Sequence, residues 1–343
     1  MEKVLQRILR HMPKAELHIH IEGSLEPELI FKLAKRNHVT LPFPSVEALR
    51  VAYAFRDLQS FLNIYYAGAS VLLHEQDFYE MTWAYLKRAH DDQVRHVELF
   101  FDPQTHTARG VPFGVAIDGI HRALAKAHTE WGMSGSIILC FLRHLPEADA
   151  FTTLEQSLPF RDKFIGVGLD SSELGFPPEN FERVFARCRE LGLRLVAHAG
   201  EEGPPAYIRT AVELLKVERI DHGVRCLEDP LLTAQLAHAQ IPLTVCPLSN
   251  IKLRVFDRLE DHNLLQLIDA GLMVTINSDD PAYFGGYLND NFVSTFEALA
   301  MDERHAKQLA RNSFKAAFID ASTRQNYLAE VDAFFEATAR AAE

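Results

Sequence analysis

Eight short apolar runs recur along this chain of 343 residues, each separated from the next by a segment of helical character. The runs cover residues 15–20, 94–103, 136–144, 164–173, 193–202, 218–226, 241–250 and 272–281. Such alternation implies parallel strands joined by helical crossovers. Eight units in one α/β chain predict a (β/α)8 TIM-type barrel, a fold of typically ~250 residues with room for insertions. The surplus length falls in two places. Residues 25–93 read as a helical insertion after the first strand, and the residues from Met301 onward read as extra C-terminal helices on the outside. The spacing 204–217, opened by Pro204 and Pro205, predicts one helix after the fifth strand. The whole of 1–343 is expected to form a single domain.

Charge narrows the partners. The chain carries 35 Lys and Arg against 47 Asp and Glu, a net charge of −12. That argues against a nucleic-acid partner, which asks for a basic patch. No run approaches the 18 or so apolar residues of a membrane span. MEKVLQRILRHMPKAEL at the N-terminus is charged throughout and does not read as a signal peptide, so a cytoplasmic location is expected. The four cysteines, Cys140, Cys188, Cys226 and Cys246, are widely spaced and read as buried free thiols.

Catalytic groups of such a barrel come from the C-terminal ends of its strands. His18 and His20 lie two apart in AELHIH, so their side chains share a strand face. His198 ends the fifth run, with Glu201 and Glu202 on the loop after it. Asp221 and His222 end the sixth run, and Asp279 and Asp280 end the eighth. A strand-end histidine is often merely hydrogen-bonded, but packing alone poorly explains six titratable groups ending four strands: His18, His20, His198, His222, Asp279 and Asp280. Three histidines and one aspartate suffice for a zinc shell with a position left for water. Glu201 and His222 then remain as acid–base groups. His96-x-Glu98 matches half of a zinc-deaminase signature whose Cys half is missing, and reads as chance. HExxH, GxSxG and GxxxxGK[ST] are absent. Leu58, Phe61, Leu62 and Tyr65 recur at helical spacing and read as core or as the roof of a pocket for a flat apolar ligand.

The motifs PKAELHIHIEGSL, HAGEEGPPAYI, IDHGV, CPLSNIKL and NSDDPAYFGGY, taken together, resemble the adenosine/adenine deaminase family of the amidohydrolase superfamily. The resemblance runs from about residue 12 to 320. HAGEEGPP, CPLSN and SDDPAYFGGY are similar to its adenine deaminase branch. The resemblance implies one zinc ion held by His18, His20, His198 and Asp279. It makes Glu201 the proton donor to the purine ring, Asp280 a purine contact, and His222 the histidine that holds the hydroxide and takes up its proton. The implied reaction is hydrolytic deamination of adenine to hypoxanthine and ammonia, a step of purine salvage or catabolism. Adenosine or N6-substituted adenines are alternative substrates, the latter if the roof near Phe61 and Leu58 leaves space. Glu173 stands where the adenosine branch has a glycine, and is expected to accept a hydrogen bond from N9–H of a free base. Oligomeric state is left open.

Overall fold

The computed structural model describes residues 3–55 and 58–342; residues 56 and 57, inside the stretch 25–93 predicted as helical, lie outside the described residues. Eight strands form: β1 (Lys14–His20), β2 (Val94–Phe101), β3 (Ser134–Leu142), β4 (Gly166–Asp170), β5 (Arg194–Ala199), β6 (Arg219–His222), β7 (Leu243–Val245) and β8 (Val274–Ile276). They pair in chain order, every neighbour parallel. Strands covered on both faces read as continuous apolar runs, which is why these stretches stood out in the sequence. This is the barrel the alternation predicted.

The ring closes at the residues of interest. Ile19 on β1 bridges Asp279, just beyond β8, in parallel fashion. His20 N–H donates to the Asp279 carbonyl at 2.9 Å, and Asp279 N–H donates to the His18 carbonyl at 3.1 Å. The backbone that seals the barrel therefore also holds His18, His20 and Asp279 side by side.

Inside the ring, Phe100, Ile138, Cys140 and Val196 pack as a cluster of their own, apart from the larger core between strands and helices. The end opposite the site is filled by a buried ion pair between Arg219 and Glu98. His96 Nε2 lies 3.2 Å from Glu98 Oε1, and Phe318 N–H donates to the same carboxylate. The His96-x-Glu98 dyad is thus part of the barrel floor. Burial works against the Glu98 charge, but Arg219 and His96 hold its carboxyl down at about 2.

The helical insertion contains α2 (Pro27–Asn37), α3 (Val46–Ala52), α4 (Leu58–Ala69) and α5 (Glu75–Asp91), after an N-terminal α1 (Lys3–His11). One helix suffices for a β1–β2 crossover, so the rest is surplus, and α4 lies over the barrel mouth. Helix Glu303–Ala316 covers the seam, where Ser313 Oγ accepts from Ala15 N–H at 2.9 Å. Among the described residues no helix is long and apolar enough to cross a membrane.

Two predicted elements differ in extent. The helix expected over 204–217 is α-helical over Pro205–Thr210 and π-helical over Ala211–Leu215, ending at Lys216 with φ +62°. The strand expected within 241–250 stops at Val245, because Pro247 opens a helix, Pro247–Lys252, that carries Ser249 and Asn250.

Candidate active site

Three strand ends carry strained backbone. Ser171, His222 and Asp279 follow or end β4, β6 and β8 with φ of +76°, +64° and +65°. Each such non-glycine position costs of order 1–3 kcal/mol and persists only where its surroundings impose it. Here it turns side chains from the strand ends into one cavity.

His18, His20, His198 and Asp279 each offer a ligand atom, and these atoms all lie within 4.8 Å of one another. The hydrogen bonds around them determine which nitrogen is bare. Thr244 gives its hydroxyl proton to Asp221 Oδ1 at 2.8 Å, so toward His18 Nδ1, at 2.9 Å, it can only accept. His18 therefore carries its hydrogen on Nδ1, and its Nε2 is left without a hydrogen-bond partner among the described residues. His198 Nδ1 faces Asp221 Oδ2 at 3.6 Å, and His20 Nδ1 faces Asp170 Oδ2 at 3.5 Å. All three Nε2 lone pairs thus point inward. Two of them, on His20 and His198, stand 3.2 Å apart. Facing lone pairs repel unless a cation lies between them.

The spacing fits a metal. A tetrahedron with ligand bonds of 2.0–2.1 Å has edges of about 3.3 Å. Three edges of this set measure 3.2 Å (His20–His198), 3.3 Å (His18 Nε2–Asp279 Oδ1) and 3.5 Å (His20 Nε2–Asp279 Oδ1). Burial opposes the Asp279 charge, but the surrounding histidines, His18 foremost, hold its carboxyl well below the usual range. Cys246 also approaches His18, His222 and Asp279. Burial and the Asp279 charge push its thiol well up, so it stays protonated and a poor ligand.

His222 sits beside this set, with Nε2 at 3.6 Å from both Glu201 Oε2 and Asp279 Oδ2. Its tautomer is set from a distance. The Leu264 backbone N–H donates to His262 Nδ1 at 3.1 Å, so the His262 hydrogen is on Nε2 and goes to Asn250 Oδ1 at 3.2 Å. The Asn250 amide then donates to His222 Nδ1 at 3.3 Å. His222 is left with its hydrogen on Nε2, facing the cavity. It is a donor there, suited to holding an oxygen. The expectation that it also takes up the proton of the attacking water is corrected, since the nitrogen that faces the cavity has no free lone pair. Burial keeps the ring neutral, down at about 3.

Glu201 is buried, and its Oε1 has no hydrogen-bond partner among the described residues. Burial, then Asp279, Glu202 and Glu173, push its carboxyl well above the ordinary range, so it holds a proton near neutrality. Asp280 is raised likewise by burial and by Asp279. Gly23, in the EGS turn after β1, makes room for it: a Cβ there would stand 1.8 Å from Asp280 Oδ1.

The structure corrects the expectation for Glu173. Its Oε1 accepts from Gly200 N–H at 2.6 Å, and its Oε2 accepts from the N–H groups of Glu201, Glu202 and Gly203 at 3.1, 2.9 and 2.8 Å. Four backbone donors leave nothing for a purine. Glu173 holds the loop that carries Glu201, and Gly203 is required there because a Cβ would come within 2.4 Å of Glu173 Oε1. Arg143, also buried, ties the same loop by donating to the His198 carbonyl at 2.7 Å.

His20, His198, Glu201, His222, Asp279 and Asp280 line one cavity of about 420 Å³ including its open mouth, roofed from α4 by Leu58, Phe61, Leu62, Tyr65 and Tyr66. Phe61 and Leu58 thus lie on the cavity wall with Asp280, Glu201 and His222, while Glu173 does not. Sequence reasoning missed Asp102 and Asp170, which end β2 and β4 and also line it. The rule that singled out the other strand ends, a carboxylate closing an apolar run, applies equally to FFDP and GLDS.

The chain matches the adenosine deaminase family over residues 13–334. It is 65% identical over 334 residues to an adenine deaminase of Cupriavidus necator, covering 97% of this chain and 95% of that one. An adenine deaminase of Geotalea uraniireducens is 65% identical over 332 residues, with coverages of 96% and 94%. Among solved structures, an adenine deaminase from Arthrobacter aurescens superposes with a TM-score of 0.93 at 49% identity, covering 95% of this chain and 99% of that one. An amidohydrolase from Burkholderia ambifaria with bound Zn superposes with a TM-score of 0.90 at 26% identity, with coverages of 99% and 96%.

Proposed function

The chain belongs to the adenosine deaminase family, and from that premise we propose how it works. It is an enzyme that deaminates adenine, giving hypoxanthine and ammonia. The metal is one zinc ion, and His18, His20 and His198 through Nε2 with Asp279 through Oδ1 are the residues that would hold it. The observation that carries this reading is the set of three inward, unprotonated imidazole nitrogens grouped with an ionised aspartate. Zinc, when bound, supplies a Lewis acid that makes water acidic enough to serve as a nucleophile near neutral pH.

The chain's own residues do the rest. Phe61 and Leu58 cover the flat face of the purine and exclude water. Asp280 gives its proton as a hydrogen bond to N7, and Glu201 gives its proton to N1, which makes C6 electrophilic. His222 donates from Nε2 to the attacking oxygen and fixes it opposite C6. Glu201, now a carboxylate, takes a proton from that water and passes it to the 6-amino group, which leaves as ammonia. The last hydroxyl proton returns to Glu201 as C6 becomes a carbonyl, so the carboxyl is restored and N1–H stays with the product.

A spectrophotometric assay of purified protein on adenine and on adenosine, with metal analysis of the same preparation, tests this. Hypoxanthine formation is expected, with close to one zinc per chain, and removal of zinc by a chelator is expected to abolish turnover. Inosine from adenosine at a kcat/KM equal to that for adenine would overturn the substrate assignment. Full activity after complete chelation would overturn the metal assignment.

A further inference from the structure

Asp102 is fully buried at the end of β2 and belongs neither to the metal set nor to the loop that carries Glu201. Asp102 lines the cavity; its Oδ2 accepts from the Tyr65 hydroxyl at 3.2 Å, and its Oδ1 has no N–H or hydroxyl donor among the described residues, its carboxyl meeting that of Asp170 instead. Two other carboxyl groups crowd it. Asp170 lies close by, and Glu22 Oε1, already paired with His106 Nε2 at 2.7 Å, also accepts from the Asp102 backbone N–H. A buried acceptor without a donor is costly. The position calls for an N–H or O–H from whatever fills the cavity.

The orientation of the base says which one. With C6 at the metal donors, N1 at Glu201 and N7 at Asp280, the N3–N9 edge faces the opposite wall. In a ring of eight strands in chain order, β2 stands across from β6, which carries His222. Of the carboxylates lining the cavity, Asp279, Glu201 and Asp280 serve the C6 end; Asp170, whose Oδ1 also lacks a partner among the described residues, stands on β4 across from β8 and is held to His20 Nδ1, beside the metal donors, through Oδ2. Asp102 remains.

We propose that Asp102 selects a free purine base over its nucleoside by accepting the N9–H hydrogen bond. Adenine has that hydrogen. A nucleoside has a sugar carbon in its place, which leaves Oδ1 unpaired and sends the sugar against the Tyr65 and Tyr66 wall. The proposal rests on the adenine reading given above, and it moves the N9–H contact expected of Glu173 to a residue with a free acceptor.

The test compares adenine with 9-methyladenine, which keeps the ring and lacks the N–H. Sites built to bond a donor reject analogues without it by about 10⁴–10⁵. The unmodified enzyme is therefore expected to prefer adenine by at least ~10³ in kcat/KM. Asp102→Leu, which keeps the bulk and removes the acceptor, is expected to lower kcat/KM for adenine about 10²-fold, chiefly through KM. Its zinc content should be unchanged, and its rate on 9-methyladenine should rise, since no acceptor is left unpaired. Asp102→Ala opens space as well and should raise the 9-methyladenine rate. An unmodified enzyme that handles both bases alike overturns the proposal whatever the variants do. So does a metal-loaded Asp102→Leu protein that keeps the original preference. An unmodified enzyme with no activity on adenine would instead sink the substrate assignment above.

Discussion

Glu173 and Glu201 are buried carboxyl groups of one loop system, and what faces each of them separates their chemistry. Glu173 meets four backbone N–H donors. Glu201 Oε1 meets none. Their variants should therefore fail differently. Glu201→Gln is expected to keep its zinc and its melting temperature while losing about 10²–10⁴ in kcat, the usual worth of general acid–base help. Glu173→Ala leaves several buried N–H groups unpaired at ~1–3 kcal/mol each, so a stability loss of about 3 kcal/mol or more is expected in urea unfolding. A Glu173→Ala midpoint equal to that of the unmodified protein would contradict the anchoring role, and a Glu201→Gln enzyme of near-normal rate would contradict the proton-donor role. The sequence located both residues at the right strand ends. It misassigned Glu173 because spacing fixes where a side chain starts and says nothing of which donors, 27 to 30 positions on, will meet it.

At the scale of elements, the strands were legible and the surplus helices less so. A strand buried on both faces needs an apolar run, and a barrel places the polar residue that ends the run at the mouth. That is why His18, His20, His198, His222, Asp279 and Asp280 were found together. The role of α4 was not legible, since apolar helical spacing reads the same for a core helix as for a roof. In the structure Phe61 packs edge-on to Phe55 and against Tyr65 and Phe284, and lines the cavity as well. Phe61→Leu is expected to raise KM for adenine about tenfold, the cost of one poorer apolar contact, with kcat changed less than twofold. The same change should raise kcat/KM for N6-methyladenine relative to adenine by opening the roof. An unchanged KM for adenine would remove Phe61 from the binding wall.

At the scale of the whole molecule, the buried charge pattern ties folding to pH. Burial holds His262 down at about 4, against 6.5 for a free side chain. Its proton is taken up by the unfolded chain and refused by the folded one between those values. Its contribution to stability is therefore present above pH 6.5 and lost as pH falls toward 4. Glu98, held at about 2 against 4.5, adds stability above pH 4.5 that is lost as pH falls toward 2. Glu16 and Glu22, held up at about 7 by burial, act in the opposite sense over the same range, so the His262 contribution is read as a difference: from pH 7 to 4.5 the urea midpoint of the unmodified protein is expected to fall relative to that of His262→Gln. A midpoint difference between the two proteins that does not change from pH 7 to 4.5 would show that His262 titrates alike in both states.

The sequence by itself determined the barrel, because eight apolar runs separated by helical segments leave parallel strands few other ways to bury both faces. It also determined which polar residues stand at the mouth, because strand ends are local. Tertiary structure alone decided which nitrogen of each histidine is bare, where the Glu173 carboxylate goes, and that Asp102 keeps an acceptor open. Each of those depends on a hydrogen-bond partner brought in from another strand or loop. Thr244 and Asp221 set His18, a backbone N–H at Leu264 reaches His222 through two side chains, and the loop after β5 claims Glu173. Protonation follows the partner, and the partner exists only once the ring has closed.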